Sequence, residues 1–333
     1  MGKALEGKVA LVAGATRGVG RGIALMLGEA GATVWCSGRS VRGQLASGEG
    51  RPETIEETAE LVGARGGRGI AVRTDHTVES EVVALCQRIE RESGRLDLLV
   101  NDVWGGDALI EWGKPFWETT PGNARSLLER AIFSHLLTSR HALPLLLRAE
   151  RGLLVEVTDG DFFGYRGNVL YDLVKMTLIR LAFALSRELR ETPVTALAVT
   201  PGYLRSEAML DHFGVTEANW RDAISHTPDY VSSETPCFVG RAIAALAADP
   251  LVRRKAGRVL SSWGLAREYG LTDLDGSRPD WGAYFEQKYG RAPVADDAAY
   301  ASWLDSPMDL IFPDGVPDLN QRPGSSAGDV VGS

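Results

Sequence analysis

Three cysteines in 333 residues, Cys36, Cys86 and Cys237, are too few and too far apart for a disulfide framework. They read as reduced core thiols, as expected of a cytoplasmic protein. The five histidines (76, 135, 141, 212, 226) make no HExxH pattern and no cluster with cysteine, so no metal site is expected and they are assigned to core or solvent. No apolar stretch is long enough to span a bilayer, and the first seven residues lack the apolar segment of a secretory signal. Positive charge is also short. A net charge of -8 with Lys and Arg scattered argues against a nucleic-acid surface, leaving a small-molecule partner as the expectation.

What the chain does have is alternation. Short β-branched and leucine-rich runs, Val9–Ala13, Thr33–Cys36, Ile70–Thr74, Leu96–Asn101, Leu153–Thr158, Val194–Val199 and Arg258–Ser261, are separated by amphipathic segments such as Arg21–Glu29 and Ser80–Glu92. This βαβ rhythm predicts an α/β fold, a doubly wound parallel sheet with helices on both faces. In such sheets ligands bind outside the carboxyl ends of the strands. The organisation expected is one domain over 1–290 and a C-terminal extension over 291–333. Trp303, Leu310, Ile311 and Phe312 could pin the start of that extension, and its end, Arg322–Ser333, is too poor in apolar residues to order. Ser40–Pro52, with Gly43, Gly48 and Gly50, reads as a long loop before a helix starting near Glu53.

Directly after the first run comes Ala13-Gly14-Ala15-Thr16-Arg17-Gly18-Val19-Gly20. Glycines between a strand and a helix let the backbone approach a pyrophosphate, and the helix end offers amide hydrogens and a positive dipole. Tight helix–sheet packing alone would also select glycine; the position after the first strand favours the nucleotide. An NAD site wants a carboxylate about 20 residues further on. Trp35-Cys36-Ser37-Gly38-Arg39-Ser40 supplies none, and Arg17 and Arg39 stand ready for a 2′-phosphate, so NADP(H) is preferred over NAD(H). Asp75 ends the third strand, where it could accept from the adenine amino group. Asn101 ends the fourth, beside Gly105 and Gly106. Tyr171 and Lys175 lie four apart on a predicted helix, one turn from each other, so the ammonium should favour phenolate and make Tyr171 a usable proton carrier. Such a pair alone is usually a surface feature; it gains weight between the strand end at Thr158-Asp159 and Pro201-Gly202.

These residues resemble the short-chain dehydrogenase/reductase family, over roughly residues 5–265. The resemblance implies a Rossmann fold, with Gly14, Thr16, Arg17, Gly18, Val19, Gly20, Arg39, Asp75, His76 and Asn101 in the cofactor site. Tyr171 and Lys175 match the family's catalytic pair and also touch cofactor. Pro201, Gly202 and Leu204 fall in the segment that contacts the nicotinamide carboxamide. Gly257–Leu260, Leu265–Gly276 and Asp75-His76 are similar to a subgroup that includes the mammalian dehydrogenase/reductase member 1 type. The family also implies a homodimer or homotetramer, with Leu178, Ile179 and Phe183 as the apolar face.

Three positions depart from the family pattern. Asp102 replaces the second motif asparagine, and the helix asparagine falls at Ala131. The catalytic serine has no clean match: spacing from Tyr171 gives Thr158, and strand register gives Asp159. A carboxylate there would oppose the charge that builds on a reduced carbonyl oxygen. So Thr158 is expected to supply the hydroxyl with Asp159 turned away; a buried protonated Asp159, or an iminium acceptor, are the other solutions. A lid over about 207–236, carrying Met209, Leu210, Phe213, Trp220 and Tyr230, and Trp104 near the nicotinamide motif suggest an apolar or aromatic substrate, although any one of these aromatics could equally be a packing residue. The reaction expected is carbonyl–alcohol interconversion. The rivals are a nucleotide-binding regulatory protein that lost turnover and a non-redox dehydratase or epimerase.

Overall fold

The computed structural model describes residues 3–46, 50–162 and 164–290. The expectations for the C-terminal extension over 291–333 lie outside the described residues, as does Gly48 in the Ser40–Pro52 loop.

Seven strands alternate with helices. They are β1 (Val9–Ala13), β2 (Thr33–Gly38), β3 (Arg68–Arg73), β4 (Leu98–Asn101), β5 (Gly152–Val157), β6 (Val194–Thr200) and β7 (Val259–Ser261). The helices are α1 (Gly18–Glu29), α2 (Ile55–Ala64), α3 (Glu79–Ser93), α4 (Pro121–Leu128), α5 (Ser134–Leu146), α6 (Val169–Glu188), α7 (Glu207–Phe213), α8 (Pro236–Ala248), α9 (Ser262–Tyr269) and α10 (Trp281–Tyr289). A π-helical turn, Glu129–Phe133, joins α4 to α5.

All the pairings are parallel, in the order β3-β2-β1-β4-β5-β6-β7. Every residue of β1, β4, β5 and β6 is buried, because helices cover both faces and leave no place for a solvated side. One face packs Ile23 and Leu27 of α1 with Val62 of α2 and Ile243 and Leu246 of α8. The other packs Val82, Leu85 and Ile89 of α3 with Ala142 and Leu145 of α5. The strand order reverses between β1 and β4, so the crevice opens at their carboxyl ends, where the connections to α1 and α4 diverge.

Gly22 shows how tightly the first layer closes. A Cβ there would meet the Pro236 backbone oxygen at 2.2 Å, so α1 and α8 touch backbone to backbone. Leu178 and Ile179, expected on an oligomer face, are instead buried inside the chain, Ile179 against Ala198 of β6. The apolar side chains that α6 does expose are Val169 and Leu173.

Candidate active site

The crevice is built from five strand ends. After β1 the chain turns through Gly14, whose φ of +92° excludes most other residues and whose missing Cβ would lie 2.3 Å from the Asp102 carbonyl. Gly20 is equally constrained, with its missing Cβ 2.3 Å from the Gly14 oxygen and 2.9 Å from Asp102 Oδ2. Both contacts are backbone packing, so these two glycines shape the loop. Gly18, at φ +56°, has nothing nearer than the Ser206 Cβ at 3.9 Å. Its N–H donates to Glu207 Oε2 at 2.8 Å. The α1 N-terminus carries no side-chain cap and no acidic residue in its own first turn, yet it has drawn a carboxylate from α7. An end that recruits an anion fits a cofactor diphosphate.

The adenosine side differs from the sequence expectation in one respect. No acid stands on β2, but Glu53, from the segment before α2, comes within 3.7 Å of Arg17 Nε and 3.0 Å of Arg51 Nη2. Arg39 lies against the Gly105 backbone and beside Asp75. Burial raises the Asp75 pKa, but hydrogen bonds from Thr77 and the Arg39 charge outweigh it and hold it below the usual range. Thr16 packs its hydroxyl against Gly38, where a Cβ would lie 2.4 Å away. The His76 side chain is not directed to this crevice. It is buried between Ser37 Oγ (2.9 Å) and Thr138 Oγ1 (2.8 Å), and burial pushes its pKa down to about 3. His76 therefore ties β2 to α5 as a neutral core group.

Beneath the nicotinamide side runs a buried chain that sequence reasoning missed. Asn101 Nδ2 donates to Ser139 Oγ at 2.9 Å and to Glu156 Oε1 at 2.8 Å. Glu156 Oε2 lies 2.6 Å from His135 Nδ1, and His135 Nε2 donates to the Val103 carbonyl at 2.9 Å. Nε2 must carry a proton to reach a carbonyl, so the ring is fixed between Val103 and Glu156. A glutamate in mid-strand gave no local signal of this; only the β4–β5 pairing of Asn101 with Glu156 brings them together. Asp102 packs under the glycine loop, and burial pushes its carboxyl up to about 7.

Asn168 caps α6 by accepting from Leu170 N (3.0 Å) and Tyr171 N (3.1 Å), which fixes where the first helical turn points Tyr171. The Tyr171 hydroxyl donates to Asp159 Oδ2 at 2.7 Å. Thr158 faces the other way, its hydroxyl donating to the Lys175 carbonyl at 2.8 Å. The expected arrangement is thus reversed. The extended backbone at the end of β5 sends Thr158 inward onto α6 and leaves Asp159 facing the phenol. Burial, then the charge and hydrogen bond of Asp159, push the Tyr171 pKa well above the ordinary phenol value, so the expected drop toward working pH does not occur. Lys175 Nζ sits 4.3 Å from the Trp104 ring centroid and 5.5 Å from that of Tyr171, and burial lowers its pKa. Trp104 and Trp112 pack on Tyr171 at 5.8 and 5.3 Å. Ala131, buried, lies in the π-helical turn below them.

On the last side, Gly202 N donates to Glu234 Oε2 at 3.0 Å, and Ser262 Oγ donates to the same oxygen at 2.6 Å. Burial pushes Glu234 up to about 8. Backbone bonds from Glu234 N to the Tyr203 carbonyl and from Arg205 N to the Glu234 carbonyl hold Pro201 to Leu204 against this strap. Beyond it, Phe213, Trp220 and Tyr230 pack on one another and on Tyr203, with Trp220 and Tyr230 buried, so two of the expected lid aromatics serve its interior.

A doubly wound sheet with an anion-seeking helix end and a Tyr/Lys pair at one crevice defines a dinucleotide-dependent oxidoreductase class. Residues 8–213 match the short chain dehydrogenase family model. The chain is 36% identical over 307 residues to mouse dehydrogenase/reductase SDR family member 1, covering 91% of this chain and 92% of the relative. The human protein of that name is 34% identical over 280 residues, covering 83% and 86%. A short chain dehydrogenase from Mycobacterium thermoresistibile shares the fold at TM-score 0.69 and 18% identity, covering 88% of this chain and 98% of that one. The chain belongs to the short-chain dehydrogenase/reductase family, whose members bind a nicotinamide cofactor.

Proposed function

We propose that this chain is an NADP(H)-dependent oxidoreductase that interconverts the reduced and oxidised forms of an apolar or aromatic small molecule, the carbonyl–alcohol couple being the general case. The observation that carries the reading is the convergence of Tyr171, Lys175 and the glycine loop on one crevice, with Trp104 and Trp112 as its apolar walls. The cofactor would supply or take the hydride. Gly18 and Val19 would hold its diphosphate by backbone N–H groups, and Arg39 and Arg17 its 2′-phosphate. Lys175 orients the Tyr171 side of the pocket through Trp104 and would bond ribose hydroxyls. Tyr171 hands on a proton through its hydroxyl, with Asp159 as the group that hydroxyl now faces. The segment over 207–236 would close over the substrate, and the working unit would be a homo-oligomer in the cytoplasm.

The test is nicotinamide oxidation, followed at its absorbance, with a panel of aldehydes, ketones and imines. Tyr171→Phe should remove turnover of the aldehydes and ketones and leave cofactor affinity within about twofold, whereas Lys175→Ala should damage both. Retention of most activity by Tyr171→Phe would show that the proton does not pass through this hydroxyl.

A further inference from the structure

The donor and acceptor pattern around Tyr171 is the wrong one for a neutral carbonyl. A carbonyl oxygen gaining charge needs hydrogen-bond donors. Here the Tyr171 proton is directed at Asp159 Oδ2, and Asp159 stands where a hydroxyl donor would be needed. Thr158 cannot take over, since its hydroxyl is spent on the Lys175 carbonyl. What the pocket presents instead is a carboxylate and a phenol oxygen with lone pairs to spare, both of which suit a positively charged group.

The surroundings agree with that polarity. Arg166 contributes a positive charge felt at Tyr171, but its hydrogen bonds go to groups other than the Asp159 carboxylate. Its Nε donates to the Asp159 backbone oxygen at 2.6 Å, its Nη2 to the Phe162 carbonyl at 2.8 Å, and its Nη1 meets Asp172 Oδ1 at 3.1 Å. The Lys175 ammonium sits on the Trp104 face and is favoured by the charges of Asp159, Asp102 and Asp107, which together outnumber it. Asp107, which accepts from Trp104 Nε1 at 2.6 Å, adds another negative charge on the same side. The aromatic walls, Trp112 and Tyr171, offer ring faces and edges that attract a cation once water is displaced.

We propose that the acceptor reduced at this site is a cationic C=N group, an iminium flanked by apolar or aromatic substituents, and that the product is the corresponding amine. The proposal rests on the reading of the crevice as a nicotinamide hydride-transfer site. The iminium carbon takes the hydride, the C=N π pair moves onto nitrogen, and a neutral amine leaves with one equivalent of reduced nicotinamide oxidised. No proton need be delivered, so a phenol held in its neutral form by Asp159 is no handicap. Asp159 stabilises the charge in the bound reactant, and Tyr171 keeps that carboxylate aimed. In the amine-oxidising direction the same carboxylate favours the cation as it forms. A unit charge at about 4 Å in an effective dielectric of 20 corresponds to roughly a thousandfold in affinity for the cation.

The test pairs a permanently charged probe, N-methyl-3,4-dihydroisoquinolinium, with the ring-matched ketone 2-tetralone, both with NADPH and corrected for the rate without enzyme. The wild-type protein should favour the iminium by a factor of about a hundred or more in kcat/KM, and Asp159→Ser should reverse that order. Calorimetry of the NADP-loaded protein with N-methyl-tetrahydroisoquinoline, cationic at neutral pH, should show binding that Asp159→Asn weakens at least tenfold, while 2-tetralol binding stays unchanged. A ketone preference that Asp159→Ser leaves unaltered overturns the proposal and leaves the hydride reading standing. Asp159-dependent binding of the ammonium without reduction of either probe upholds the cation site and removes the hydride reading. Failure of the ammonium to bind, with no reduction of either probe, overturns both.

Discussion

Glu207 Oε2 accepts the Gly18 N–H at 2.8 Å, so α7 sets a carboxylate on the helix end where the family places a diphosphate. Glu207 also reaches Arg21 of α1 at 3.9 Å, and Asp211 of α7 pairs at 2.9 Å with Arg51 in the loop before α2. Two anions cannot share one amide, so Glu207 must yield when a diphosphate arrives, and its charge opposes that arrival. Glu207→Gln should therefore tighten NADPH binding by about 5- to 30-fold, the size of a charge at a helix end. Fluorescence titration of wild type and variant checks this; equal or weaker binding by the variant would place the diphosphate elsewhere.

Cofactor choice is predicted to depend on Arg39. Two or three charge-assisted hydrogen bonds to the extra phosphate should favour NADPH over NADH by about 2–4 kcal/mol. Arg17 lies near Glu53 and Arg39 beside Asp75, so both cations have an acid close by, and Arg39, placed against Gly105, is the one tested. Arg39→Asp should lower NADPH affinity by about a hundredfold and NADH affinity far less. Equal dissociation constants for the two cofactors in wild type would refute the assignment.

The strand order was legible because an apolar run bounded by turn residues is a local signal, and all seven predicted runs begin and end within two residues of the strands observed. The start at Ile70 comes two residues late because Arg68 and Gly69 lack an apolar signature yet pair with Thr33 and Val34 of β2. Tyr171 and Lys175 were legible for a similar reason: four residues on one helix fix their relation without tertiary information. The Thr158/Asp159 choice was not. Neighbouring residues on a strand face opposite ways, and counting cannot say which way until β5 is seated beside α6. Glu53, Glu207 and Glu234 were invisible as well, since an isolated glutamate far along the chain looks like solvated surface until the fold buries or recruits it.

Glu156 makes the cost of such burial measurable. Its carboxylate is the meeting point of Asn101, Ser139 and His135, all inside the sheet. Glu156→Ala would remove an acceptor from each of those groups, leaving Asn101 only Ser139 and His135 only the Val103 carbonyl, and breaking a buried pair from one side costs about 3–5 kcal/mol. The exposed Arg42–Glu60 pair gives the contrast, because solvent screens it and removing Glu60 should cost little. Urea denaturation of the two variants should separate them clearly. A Glu156→Ala loss as small as that of Glu60→Ala would mean the buried network is bridged by water.

Asp102 gives a pH dependence with a definite sign. Burial holds its carboxyl up to about 7 in the folded protein, whereas the unfolded chain ionises it near the ordinary carboxylate value of 3.8. Between those values the folded state keeps a proton that the unfolded state has released, so stability falls as pH rises through this window. The contribution is fully present below about pH 4 and gone above about pH 7. His76 works in the opposite sense, since its folded pKa near 3 means the unfolded state binds the extra proton up to about 6.5. Wild type alone would therefore show a blunted profile. The informative quantity is the difference in unfolding free energy between wild type and Asp102→Asn, because His76 is common to both and cancels. That difference should move against wild type as pH goes from 4 to 8. The Asn amide cannot ionise, and it can still accept the Gly20 N–H that Asp102 now holds. A difference that stays level across this range would mean Asp102 ionises at its ordinary pKa inside the fold.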